Sequence, residues 1–228
     1  ASVGEMATGV AHEINNPLAI IYEEAGMMRD VLDPEFGLEV DPDDFRERLD
    51  AIKAATIRGR TITRQLMAFA RKDNAELEPV DINSFLDRVL AVKGTKLKVS
   101  NIEVHRDYTE DLPPALGNIN QMEQVLHNLL NNAIDAMDGP GRITVRSRQE
   151  GNTVSFDVED TGCGMSPELL ENVFFPFFTT KGVGKGTGLG LSISYGIIKS
   201  LGGRIEVSSE EGVGTTFTVM FPIKKGKS

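Results

Sequence analysis

Three groups of residues have types and spacings that could do chemistry. The first is Asp160-Thr161-Gly162-Cys163-Gly164, an acid followed by two near-adjacent glycines, with Gly182, Gly184, Gly186, Gly188 and Gly190 alternating further along. Backbone without a Cβ can approach a ligand closely, and the amides and dipole at a helix start favour phosphate. The second glycine run feeds SISYGIIKSL, a helix-like segment, and Lys181 and Lys185 add positive charge to an otherwise acidic chain. That chemistry is a nucleotide pocket with a glycine lid. The alternative is a plain glycine-rich connector, which needs no DxGxG ahead of it.

The second group is Asn128 and Asn132, one helical turn apart on a shared face, with Asp135 close by. Unpaired amides are costly to bury, so these point to a ligand, a metal or water, unless they form a solvated polar face. The third is His12-Glu13-Ile14-Asn15-Asn16-Pro17, an imidazole with a carboxylate beside it and an amide one turn on. Asn16 stands where a second zinc-binding His would be, so HExxH chemistry is excluded. Cys163 is the single cysteine, which rules out an internal disulfide and fits a reducing cytosol. With no His partner nearby it reads as a small filler.

These groups need elements to hold them. Val3, Met6, Val10, Ile14, Leu18, Ile21, Ala25, Met28 and Leu32 step by three and four, the seam of a long amphipathic helix. Asp33-Pro34 and the acidic stretch to Asp44 break it. A second seam runs Phe45, Leu49, Ile52, Thr56, Gly59, Ile62, Leu66, Phe69. Two helices bury too little alone, so the pattern predicts pairing with a second copy in a four-helix bundle; the alternative is an antiparallel hairpin lying on the second domain. His12 faces away from the seam, toward solvent or a docking partner.

After a charged linker come a helix at VDINSFLDRVL, a period-two stretch at Ile102, Val104 and Arg106, and a Pro113-Pro114 break. A helix from Asn120 to Met137 carries the asparagines. ITVRS and VSFDVED read as strands joined at Glu150-Gly151-Asn152, with Asp160 ending the second. Arg204–Ser209 and Thr215–Pro222 form a further hairpin. The predicted boundaries are a hairpin over 1–72, a linker over 73–80 and a second domain over 81–225.

The chain has 228 residues and a net charge of −10, which argues against a nucleic-acid partner held through phosphates. No apolar run approaches the ~18 residues of a membrane span, and no signal peptide is visible. Walker A is absent, because Phe221 stands where its first glycine belongs ahead of Gly226-Lys227-Ser228. GxGxxG is absent too.

The motifs together resemble the cytoplasmic catalytic part of bacterial two-component sensor histidine kinases. GEMATGVAHEINNPLAII is similar to that family's H box, HNLLNNAIDAM to its N box and DTGCGM to its first G box. FFPFFTTK resembles the F box, with Phe175 where many members carry Glu. GKGTGLGL and GVGTTF resemble the second and third G boxes. The resemblance implies a helical hairpin forming a dimeric four-helix bundle, followed by a Bergerat-type α/β sandwich that binds ATP with Mg²⁺. It implies Asp160 accepting from the adenine amino group, Gly162 and Gly164 close to the base, and Asn132 with Asn128 supplying oxygen to the metal. Asp135, Lys181, Gly186, Thr187, Gly188, Leu189, Gly190 and Thr215 complete the implied nucleotide set. His12 would be the nucleophile, Glu13 its proton acceptor, and Asn16 an orienter of water in a phosphatase reaction. The implied partners are a second copy and the receiver domain of a response regulator. Any sensor or membrane span would lie in sequence outside these residues, placing the chain in the cytoplasm, as such or as part of an inner-membrane sensor. Two other classes share the pocket: an ATPase clamp needing neither His12 nor the hairpin, and a scaffold that binds ATP without forming a phosphoprotein.

Overall fold

The computed structural model describes residues 3–37, 39, 41–70, 77–181 and 187–223, without the side chains of 3–10, 61 and 64–70. Contacts divide the chain into two compact units, Ala1–Arg71 with Thr180–Thr187, and Lys72–Thr179 with Gly188–Ser228. Among the described residues no helix is long and apolar enough to cross a membrane.

The first unit is the predicted hairpin: α1 spans Val3–Leu32 and α2 spans Pro42–Ala70. α1 runs on through Pro17, which is buried, and opposite it Gly59 leaves room: a Cβ there would sit 3.6 Å from the proline ring. Ala55 and Ile62 of α2 are also buried. Arg48 joins the helices through Glu24 at 2.9 Å and also takes Asp44 at 2.9 Å. The predicted seam is only partly used. Leu18, Leu32 and Leu49 remain 56%, 61% and 51% exposed, so a strip of apolar surface is left over among the described residues of this unit.

The second unit contains β1 (Glu78–Val80), α3 (Ile82–Val99), β2 (Ile102–Tyr108), β3 (Ala115–Gly117) and α4 (Ile119–Asp135). β4 (Gly141–Glu150), β5 (Thr153–Asp160), α5 (Pro167–Asn172), α6 (Gly190–Ser200), β6 (Arg204–Glu210) and β7 (Gly214–Pro222) follow. Five strands form a mixed sheet in the order β2-β4-β5-β7-β6, with β2 parallel to β4 and the other pairs antiparallel. Residues 78–80, which the sequence assigns to the linker, are extended and pair with β3 in a separate two-stranded sheet.

Helices cover one face of the large sheet. The strict alternation of β5 puts Val154, Phe156, Val158 and Asp160 on the buried face, and β7 adds Phe217, Val219 and Phe221. Above them lie Phe85, Leu86, Val89 and Leu90 of α3 and Met122, Val125, Leu126, Leu129 and Leu130 of α4. Phe85, Phe156 and Phe221 stack in series with centroids 6.2 Å apart at each step. Asp81 caps α3 by accepting from the Ser84 N–H at 3.2 Å, and Asn118 caps α4 through the Gln121 N–H at 3.0 Å. The Asn118 cap fixes the start of α4, the helix that carries Asn128 and Asn132.

Candidate functional site

Asp160 is an acid in a hydrocarbon position, the last residue of β5 on the face that otherwise holds Val154, Phe156 and Val158. It is 4% exposed, and burial pushes its carboxyl above the usual carboxylate range. Backbone N–H groups of Gly162, at 2.8 Å from Oδ1, and of Thr215 work in the opposite direction by donating to the ionised form. A buried carboxylate held by backbone donors has lone pairs left to accept a further hydrogen bond from a ligand's N–H.

The glycines of this loop answer first to the protein's own packing. A Cβ on Gly162 would lie 2.7 Å from both the Cβ and the carbonyl oxygen of Ala136, where α4 ends. Gly164 has φ +65°, and a Cβ there would fall 2.0 Å from the Glu210 carbonyl oxygen. The loop is pinned on both sides: the Cys163 N–H donates to the Ala136 carbonyl at 3.0 Å, and the Gly212 N–H to the Cys163 carbonyl at 2.8 Å. Ser209 holds the same junction. Its hydroxyl donates to the Gly214 carbonyl at 2.8 Å and accepts from the Met165 N–H at 2.9 Å, with Thr215 Oγ1 2.9 Å away. Thr215 itself is buried.

The asparagines of α4 divide their work. Asn131 accepts from Lys93 Nζ at 2.8 Å, toward α3. Asn128 donates its amide to the Gly190 carbonyl at 3.1 Å and lies 3.3 Å from Ser194 Oγ, both on α6. Asn132, half-buried, shares the face of Asn128. Gly188 and Leu189 lead into the first residue of α6, Gly190, and the Leu189 side chain provides no cap to that helix start. Asp135, on the other hand, is exposed and pairs with Lys96 at 3.7 Å. Lys181 and Thr187 are half-buried, while Gly182, Gly184, Lys185 and Gly186 lie outside the described residues.

On the hairpin, His12 and Asn16 are both exposed, one turn apart on α1. Glu13 is not free beside the imidazole: its carboxylate meets Arg58 of α2 at 3.2 Å, with both side chains about four-fifths buried (20% and 22% exposed).

Comparison with known proteins separates the two halves in the same way. Residues 2–75 match the His Kinase A (phospho-acceptor) domain, and residues 117–225 match the histidine kinase-, DNA gyrase B- and HSP90-like ATPase domain. A nucleotide-free catalytic domain of the histidine kinase ThkA is 32% identical, covering 64% of this chain and 95% of its own, with a TM-score of 0.59. The chain belongs to the histidine kinase family. A structure of the histidine kinase ThkA in complex with the response regulator protein TrrA aligns with 96% of this chain and 61% of its own, at 28% identity and a TM-score of 0.77. The sensor kinase CckA of Brucella abortus is 40% identical over 97% of this chain. This histidine kinase chain spans 24% of CckA's length.

Three polar residues of this histidine kinase chain escape sequence reading: Arg58, Ser194 and Ser209. Each has one partner far off in sequence, Glu13, Asn128 and Met165 respectively, that no local pattern encodes. Ser209, next to the third G box, is the one whose motif context offered a signal.

Proposed function

We propose that this chain is the phosphoacceptor and ATP-binding portion of an autophosphorylating protein-histidine kinase, acting as a homodimer. The observation that carries the reading is an exposed histidine on a phosphoacceptor-family hairpin in the same chain as an ATPase-family pocket with a buried acid. Asp160 accepts from the adenine amino group. Amide oxygens are hard donors of the kind Mg²⁺ takes, and Asn128, its NH₂ already committed to α6, has its carbonyl oxygen left to offer. Asn132 and Asn128 would therefore hold Mg²⁺, which supplies charge neutralisation on the phosphates. No cluster of three His, Cys, Asp or Glu able to hold a metal occurs among the described residues, so such an ion would depend on these amides and the nucleotide. Lys181 and the amides around Gly186, Thr187, Gly188, Leu189 and Gly190 take the phosphates.

A ring nitrogen of His12 attacks the γ-phosphorus in line; the bond to the β–γ bridging oxygen breaks and ADP leaves. Glu13 accepts the proton from the other ring nitrogen, exchanging its Arg58 partner for the imidazole as it does so. The phosphoryl group passes to an aspartate of a response-regulator receiver domain, a reading supported by the related ThkA–TrrA complex. Asn16 orients a water for the reverse function, hydrolysis of the regulator's acyl phosphate. Exposed Leu18, Leu32 and Leu49 support the dimer. ATP as donor and a lone unpaired Cys163 favour the cytoplasm.

Incubation with γ-labelled ATP tests the reading. An acid-labile, base-stable label on the protein is expected. Free phosphate without labelled protein would indicate a clamp ATPase, and neither product would indicate a scaffold.

A further inference from the structure

Ser194 is fully buried on α6, one turn beyond Gly190. Its Oγ lies 2.9 Å from the Gly190 carbonyl, and Asn128 Nδ2 lies 3.1 Å from that carbonyl and 3.3 Å from Ser194 Oγ. A hydroxyl has one hydrogen to donate and a carbonyl has none. The Ser194 hydrogen goes to Gly190, so toward Asn128 the hydroxyl acts only as an acceptor. Both atoms that Asn128 meets on α6 are then acceptors, and its NH₂ carries two hydrogens to satisfy them. Flipping the amide would set its carbonyl oxygen against two oxygens. Serine bonded to the carbonyl four residues back is common in helices and needs no asparagine. Here the second contact removes a degree of freedom from a residue on the nucleotide-facing helix.

We propose that Ser194 is a positioning residue: it fixes the Asn128 amide so that the carbonyl oxygen is presented to the phosphate-bound divalent cation. The same hydroxyl ties that ligand to the first residue of α6, so cation binding and the seating of the helix after the glycine segment are coupled. The inference rests on the Mg²⁺–nucleotide reading above.

Calorimetric titration of the whole chain with a non-hydrolysable ATP analogue, AMP-PNP, in Mg²⁺ and again in EDTA gives two dissociation constants. Their ratio reports the cation's contribution. Losing one hydrogen bond to the amide is expected to cut that ratio about three- to tenfold in Ser194→Ala, with binding in EDTA unchanged. Ser194→Thr, which keeps the hydroxyl, is expected to retain the wild-type ratio. In an Asn128→Ala background Ser194→Ala is expected to change nothing further. An unchanged ratio in Ser194→Ala overturns the proposal, as does equal weakening in Mg²⁺ and EDTA, the signature of a purely structural contact. Should Ser194→Ala fail to fold, Ser194→Cys, similar in size but a weak acceptor, is read against Ser194→Thr by the same criteria. Wild-type chain that binds AMP-PNP in neither condition fails differently: it overturns the nucleotide reading, and this inference with it.

Discussion

Replacing Gly164 by alanine tests how tightly the Asp160–Gly164 loop is built into the pocket. Gly164 and Gly151 share nearly the same positive φ, +65° and +58°, so alanine at either site meets left-handed strain. That strain is roughly 1–2 kcal/mol. The surroundings differ. A Cβ at 151 has nothing within 4 Å, whereas at 164 it would sit 2.0 Å from the Glu210 carbonyl oxygen and 2.7 Å from its carbonyl carbon. Both obstacles are backbone and cannot rotate aside, so the two segments must part by more than an ångström. Parting them strains the Gly212-to-Cys163 and Met165-to-Ser209 hydrogen bonds, at 2.8 and 2.9 Å. Overpacking costs about 1–3 kcal/mol and a weakened hydrogen bond about 1 kcal/mol. Gly164→Ala should therefore cost roughly 3–6 kcal/mol in total. At roughly 2–4 °C per kcal/mol for a unit of this size, the melting temperature should fall by about 6–24 °C, against about 2–8 °C for Gly151→Ala. Thermal melts of both variants check the magnitude, and AMP-PNP titration should show affinity lost only in Gly164→Ala. Equal melting temperatures with wild-type nucleotide affinity in both would refute the packing described here.

Asp160 sets a pH dependence. Its folded pKa is raised by burial, so it takes up its proton at a higher pH than an ordinary carboxylate and would then lose the acceptor proposed for the adenine amino group. AMP-PNP affinity should fall as pH is lowered through that raised range, relative to Asp160→Asn, which should be weak and flat; parallel curves would contradict this. Residues 1–72 alone should sediment as a dimer, since Leu18, Leu32 and Leu49 stay exposed in one copy; a folded monomer would exclude the bundle. Asn16→Ala should slow decay of the purified phospho-regulator while still autophosphorylating, and decay as fast as with wild type would remove Asn16 from that role.

Periodicity carried most of the fold. The seams of α1 and α2 and the alternation along β5 are repeated signals, and Asp160 stood out as the acid ahead of two near-adjacent glycines at the end of a strand. β1 and β3 were not legible: three residues each are too few for a period, and 35 or more residues separate the paired positions, as in Val80 with Ala115. The parallel pairing of β2 with β4 was hidden for the same reason, because α4 and β3 intervene. Within the site, residue types were readable but their partners were not. Asn128 is spent partly on α6, Asp135 on Lys96 and Glu13 on Arg58, each a contact between separate helices. The glycines of DTGCGM were readable as close-approach positions, but their neighbours within the chain, Ala136 at Gly162 and Glu210 at Gly164, were not.

In the proposed reaction His12 receives the γ-phosphoryl group. Labelling by γ-labelled ATP should vanish in His12→Gln while AMP-PNP affinity stays within about twofold of wild type, because the imidazole nucleophile is lost and the pocket residues are untouched. Wild-type labelling of His12→Gln, with that affinity intact, would contradict the account.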